Sequence, residues 1–144
     1  MKRSILRAAV VVAAAALVAV IPACGNRGGG GTGGGKSKVA IVTNCTDPFW
    51  DICEAGAKKA AGEFDVDLVF RQPANLDVAI QNEIVETVLK LGVKGLAVSV
   101  INPKEQTPDL KRIASQINLL TMDNDAPDSG RLCYVGVDNY DCGK

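Results

Sequence analysis

From Lys38 to Val137 the chain alternates short apolar runs with stretches whose apolar residues recur every three or four positions. That alternation excludes most architectures. Runs this short need neighbours in a sheet, and an intervening helix carries the chain back to begin the next strand in the same direction. Residues 39–43, 66–70, 95–101, 119–122 and 132–137 read as strands. Asp47 and Pro48 read as the cap and first turn of a helix. Its buried face is expected to be Phe49, Ile52, Cys53, Gly56, Ala57, Ala60 and Phe64. A second helix follows Asp77, with Ile80, Ile84, Val85, Val88 and Leu89 inward and Gly92 as its stop. Thr107-Pro108 reads as the start of a third, carrying Leu110, Ile113, Ala114 and Ile117. Residues 95–101 are almost continuously apolar, as expected of a strand covered on both faces. The pattern predicts an α/β fold built on a doubly wound parallel sheet with right-handed crossovers.

Such a sheet binds its ligand at the carboxyl ends of its strands. The first of these ends reads Thr43-Asn44-Cys45-Thr46-Asp47-Pro48-Phe49-Trp50. It has none of the small residues that let backbone amides approach a pyrophosphate. Amide, hydroxyl, carboxylate and two large aromatics suit a neutral, hydroxyl-rich molecule instead: aromatic faces for its C–H faces, short polar groups for its hydroxyls. Trp50, the only tryptophan, sits one place off the apolar stripe and is expected to line an exposed cleft, whereas Phe49 divides between core and ligand. Asp47 serves equally as cap and as ligand contact. Thr43 and Asn44 are weaker candidates, since turn residues of these types often satisfy only their own backbone. Asp123, at the end of the fourth strand, is favoured by topology.

The first 23 residues read as a secretory signal: Lys2, Arg3 and Arg7, then the apolar residues 8–20, too short to span a membrane. Ile21-Pro22-Ala23-Cys24 resembles the bacterial lipoprotein box, which makes Cys24 the expected lipidation site, with ordinary cleavage as the alternative. Residues 24–37 then form a glycine-rich tether, and its glycine tract would span roughly 17–20 Å as a coil. Removing the signal leaves thirteen basic residues of the original sixteen against sixteen acidic ones, about −3. No basic stripe is present, so no nucleic-acid partner is expected. Cys45, Cys53, Cys133 and Cys142 allow three pairings. Cys53 on a helix face and Cys133 within a strand are expected as buried free thiols. The chain has no histidine and no C-x-x-C, which argues against a metal site, and no glycine-rich loop follows the first strand, so no cofactor is expected. Asp123, Asp125 and Asp128 do not make a calcium loop, because Pro127 takes a ligand place and the glycine is out of register.

Three stretches are similar to one family. Lys38-Val39-Ala40-Ile41-Val42-Thr43 with Asp47-Pro48-Phe49-Trp50 resembles the first strand and helix start of the type I solute-binding proteins of bacterial sugar importers, the ribose and galactose class. Residues 92–103 resemble their third strand. Leu120-Thr121-Met122-Asp123-Asn124-Asp125, followed by residues 132–140, is similar to their fourth strand and what comes after it. The resemblance implies a two-lobed clamp that closes on a monosaccharide-like ligand and docks on an ABC permease, as a monomer and without catalysis. It also places sugar contacts on Asp47, Phe49, Trp50 and Asp123, with Asn124 where ribose binders often carry arginine. On this reading residues 38–123 form the first lobe, residues 124–131 cross between lobes, and residues 132–144 begin a second lobe that is largely missing. A sugar sensor coupled to a chemoreceptor or a two-component kinase uses the same clamp. An exported α/β enzyme is disfavoured for want of a cofactor loop or a histidine base.

Overall fold

The computed structural model describes residues 35–144. The signal segment, Cys24 and nearly all of the glycine tract lie outside the described residues. Nine elements follow one another: β1 (Lys38–Val42), α1 (Pro48–Glu63), β2 (Asp67–Arg71), α2 (Val78–Lys90), β3 (Gly95–Val98), α3 (Pro103–Ala114), β4 (Asn118–Met122), β5 (Cys133–Val135) and α4 (Asn139–Cys142). The strands form one parallel sheet in the order β2-β1-β3-β4-β5. The chain runs outward from β1 to β2, then returns past it to β3, so the switch point lies between β1 and β3.

Side chains alternate across a strand, and the two faces of this sheet are unequal. Ala40, Val42, Leu96, Val98 and Leu119 are buried on one face, packed with Val85 and Val88 of α2 and Leu110 and Ile113 of α3. Each of these valine, leucine and isoleucine side chains contributes about 1.5–3 kcal/mol by leaving water. Val39, Ile41, Ala97 and Leu120 point to the other face and are only half-buried. Among the described residues α1 lies over this face. Its Ala57, Ala60 and Ala61 are too small to fill the space, which leaves an apolar groove of about 240 Å³ between helix and sheet.

The inward stripe of α1 differs from the expected one. It runs through Trp50, Cys53, Ala57, Ala60 and Ala61, while Phe49, Ile52, Gly56 and Phe64 are exposed. Two stripes of similar spacing share Cys53, Ala57 and Ala60, and periodicity alone does not choose between them. The larger indole takes the buried place.

The third helix also starts earlier than Thr107-Pro108. Asn102 and Pro103 use the same cap-and-proline device: the Asn102 side chain accepts from the Glu105 amide at 3.4 Å. Pro108 falls inside the helix and forfeits the bond its N–H would make.

Residues 132–137 were expected to leave for a second lobe. Instead β5 pairs in parallel with β4 in the same sheet, in the register Leu120↔Cys133, Thr121↔Tyr134 and Met122↔Val135. Residues 124–131 are therefore a β4–β5 connection rather than an interlobe crossing. A short 3₁₀ turn, Pro127–Ser129, and left-handed Gly130 (φ 75°) fold the connection back. Asp125 pins it. Its carboxylate receives Arg131 Nε at 2.6 Å and Nη2 at 2.7 Å, the Ala126 amide at 2.8 Å, and the Thr121 hydroxyl. The Arg131 bonds chiefly, helped by Thr121 and Ala126 against a smaller effect of burial, lower the Asp125 pKa to about 2. Cys133, expected to be buried, is exposed on this last strand. Cys45, Cys53, Cys133 and Cys142 are all free thiols, and burial raises the pKa of Cys53.

Candidate ligand cleft

The loops after β1, β3 and β4 meet at the carboxyl edge of the sheet. A cleft of about 370 Å³ opens there, lined by Phe49, Trp50 and Cys53 of α1, Met122 and Asp123 at the end of β4, and Val135, Gly136, Val137 and Asn139 beyond them. The aromatic pair stands on α1 because Asp47 caps that helix, its Oδ1 accepting from the Phe49 amide at 2.8 Å. Trp50 is 4% exposed and Phe49 59%. The rings meet edge to face, with centroids 4.9 Å apart. Trp50, expected on an exposed cleft wall, is the buried member of the pair: Phe49, which the sequence left divided between core and ligand, presents its ring to solvent, and Trp50 backs it. The indole N–H donates to Asn44 Oδ1 at 3.0 Å, which satisfies a buried donor.

Asp123 is exposed and adopts a left-handed backbone (φ 60°), a conformation a non-glycine residue holds only when its surroundings impose it. They do so here. Its amide donates to the Val135 carbonyl at 3.0 Å, and its own carbonyl accepts the Tyr134 hydroxyl at 2.6 Å. The Ser99 hydroxyl donates to Oδ2 at 2.9 Å. Among the described residues no donor reaches Oδ1, which leaves one carboxylate oxygen for hydroxyls of a ligand.

Phe49, Trp50 and Asp123 thus come together, and the other candidates stand apart from the cleft lining. Thr43 is fully buried, with its hydroxyl turned to the Cys45 carbonyl at 2.8 Å. Asn44 is committed to Trp50. Asp47 is occupied as a cap. Asn124 is exposed, and its carbonyl accepts from the Val100 amide at 3.3 Å. Sequence reasoning missed Ser99, Val135, Val137 and Asn139. The last three lie at or beyond the end of β5, where the carboxyl-end rule would have pointed had the strand been assigned to this sheet.

A parallel sheet with an aromatic pair and a carboxylate at its switch-point edge defines the class as an α/β ligand-binding lobe. The Periplasmic binding protein domain family matches residues 39–144, and the chain belongs to that family. Solved structures agree. A solute-binding protein of an ABC transporter from Burkholderia graminis, in complex with D-arabinose, is 37% identical with a TM-score of 0.69 over 74% of this chain and 37% of its own. A glucose-galactose binding protein from Geobacillus stearothermophilus is 31% identical with a TM-score of 0.70, over 76% of this chain and 40% of its own. A protein in a XylFII–LytSN complex is 26% identical with a TM-score of 0.69, over 75% of this chain and 40% of its own. The chain therefore spans about two fifths of the length of these relatives. No curated protein sequence matches the chain closely enough to count as a relative.

Proposed function

We propose that the chain supplies the first lobe of an exported receptor that captures a monosaccharide-like ligand for an ABC importer, without catalysing a reaction. The observation that carries this reading is the cleft at the sheet's carboxyl edge, where the exposed Phe49 ring and the free Asp123 oxygen face one space. A ring supplies a platform for the apolar face of a sugar, and a carboxylate accepts from its hydroxyls with charge-assisted bonds. The solved relatives that bind D-arabinose, or glucose and galactose, support a monosaccharide.

Titrating the chain with D-arabinose, D-galactose and D-glucose while following the Trp50 indole signal by NMR tests the proposal. A single lobe buries its ligand from one side only, so saturable binding is expected near a Kd of about 1 mM, about −4 kcal/mol. An indole signal unmoved by every sugar at roughly ten times that concentration would refute it. The leader sequence supports export and anchoring through lipid on Cys24, with residues 24–37 as the tether. Expression in a bacterium with intact export should give a mature product that starts at Cys24 and carries added acyl mass; a product lacking that mass refutes the anchor.

A sensing role is the second reading. Its specific support is the likeness to a protein found in complex with LytSN. The DNA beside the coding region separates the two: a permease and ATPase favour import, a kinase or chemoreceptor favours sensing.

A further inference from the structure

Gln81 lies on α2, away from the cleft lining, and is fully buried. Its side-chain nitrogen donates one hydrogen to the Thr43 carbonyl and the other to the Ser99 carbonyl, both at 2.8 Å. Those carbonyls sit one residue beyond the last paired rung of β1 and β3, Val42↔Val98, and both residues are fully buried. The amide replaces the rung the ladder no longer provides, since a buried carbonyl without a donor is costly. Two carbonyls can be met only by an NH2 group, so the orientation of the amide follows from its partners.

The remaining oxygen is also held. Gln81 Oε1 accepts from Gln106 Nε2 at 2.6 Å. Gln106 is almost fully buried, and its own oxygen takes the amides of Ile101 and Asn102 at 2.9 Å each. Gln81 therefore cannot rotate without breaking bonds on α3 and on the loop after β3.

Two branches lead from this amide to the cleft. Thr43 precedes Asn44, whose side chain holds the Trp50 indole at 3.0 Å. Ser99 holds the Asp123 carboxylate at 2.9 Å through its hydroxyl. We propose that Gln81 is a positioning residue for the cleft: one buried amide, by gripping the ends of β1 and β3, sets the separation between the aromatic wall at Trp50 and the carboxylate wall at Asp123. The consequence for affinity rests on the sugar-binding reading above, whereas the geometric claim does not. A recognition site must be held to within a fraction of an ångström by supporting groups, and loss of such support typically costs about tenfold or more.

The test replaces Gln81 by methionine, similar in size and without donors, and compares it with Val85→Ala, a cavity in the buried core on the same helix at a side chain that makes none of these hydrogen bonds. Both variants should melt at lower temperature than the parent. In Gln81→Met the Trp50 indole N–H signal should shift and exchange faster with solvent, and D-arabinose affinity should fall about tenfold. In Val85→Ala the indole signal and the affinity should stay at the parent values. If Gln81→Met does not fold, Gln81→Asn, which keeps the amide but is one methylene short of the two carbonyls, is measured in the same way. A Gln81 variant that melts lower while its indole signal and sugar affinity match the parent overturns the proposal, as does Val85→Ala moving the indole equally. If the parent itself shows no response to sugar, the sugar-binding reading fails, and the indole comparison still decides whether Gln81 positions the aromatic wall.

Discussion

Removing the Arg131 guanidinium should cost the chain stability by an amount that depends on pH in one narrow window. Arg131 grips Asp125 through two nitrogens, at 2.6 and 2.7 Å, and this grip is the largest cause of the fall in the Asp125 pKa from 3.8 to about 2. At about 1.4 kcal/mol per pH unit, that fall corresponds to about 2.5 kcal/mol of stability near neutrality. Both side chains keep about a fifth of their exposure, 22% and 23%, so solvent screening lowers the expected loss in Arg131→Met to about 1–2 kcal/mol. The sign follows from the direction of the change. A carboxylate whose pKa is depressed in the folded state contributes stability above its unfolded value, near pH 4, and loses it as the pH falls through about 2. Urea unfolding of parent and Arg131→Met at several values between pH 7 and pH 2 measures the difference directly. It should be constant above about pH 5, shrink below pH 4, and be mostly lost by pH 2. Because the pair closes the β4–β5 connection, amide exchange in β5 should also rise in the variant. A difference that is the same at pH 7 and pH 2 would refute the assignment of this stability to Asp125 ionisation.

The exposure of Phe49 over a buried Trp50 predicts that Phe49→Ala leaves the melting temperature nearly unchanged yet weakens sugar binding by at least about 1 kcal/mol, as the NMR titration can measure. Trp50→Ala should instead destabilise the fold by about 3–5 kcal/mol in denaturant titration, and equal effects from the two would contradict the observed burial. Asp123→Asn should cost about 1.5–3 kcal/mol of sugar affinity with little effect on melting, because the amide gives up charge-assisted bonds to hydroxyls; unchanged affinity would remove Asp123 from the site. Gly136→Ala should disturb the same residue through its backbone: an added Cβ would fall 2.0 Å from the Tyr134 hydroxyl, which must then release the Asp123 carbonyl, and an NMR signal of Asp123 that stays in place would argue against that coupling.

Local chemistry was enough for the α/β fold, the strand order of events along the chain and the capped start of α1. Strands declare themselves by apolar runs and helices by spacing, and caps such as Asp47 and Asp77 act within three residues of themselves. The position of Asp123 at the end of β4 was equally legible, since a strand's carboxyl end is a position in sequence as well as in space. Packing decided the rest. Whether Phe49 or Trp50 turns inward depends on which stripe of α1 faces the sheet, a rotation of one residue that periodicity does not specify. The start of α3 was settled by Gln106, whose side chain reaches back to the amides of Ile101 and Asn102. The place of β5 rests on backbone pairing with β4 and on Asp125 and Arg131, whose charges are ordinary in sequence until a turn brings them together. Gln81 is the furthest case. A polar residue in the first turn of a helix reads as solvent-facing, and only the convergence of β1, β3 and α3 around it makes its amide the hinge on which the cleft is set. Such a role belongs to contacts between residues 18, 25 and 38 positions apart, which no local pattern encodes.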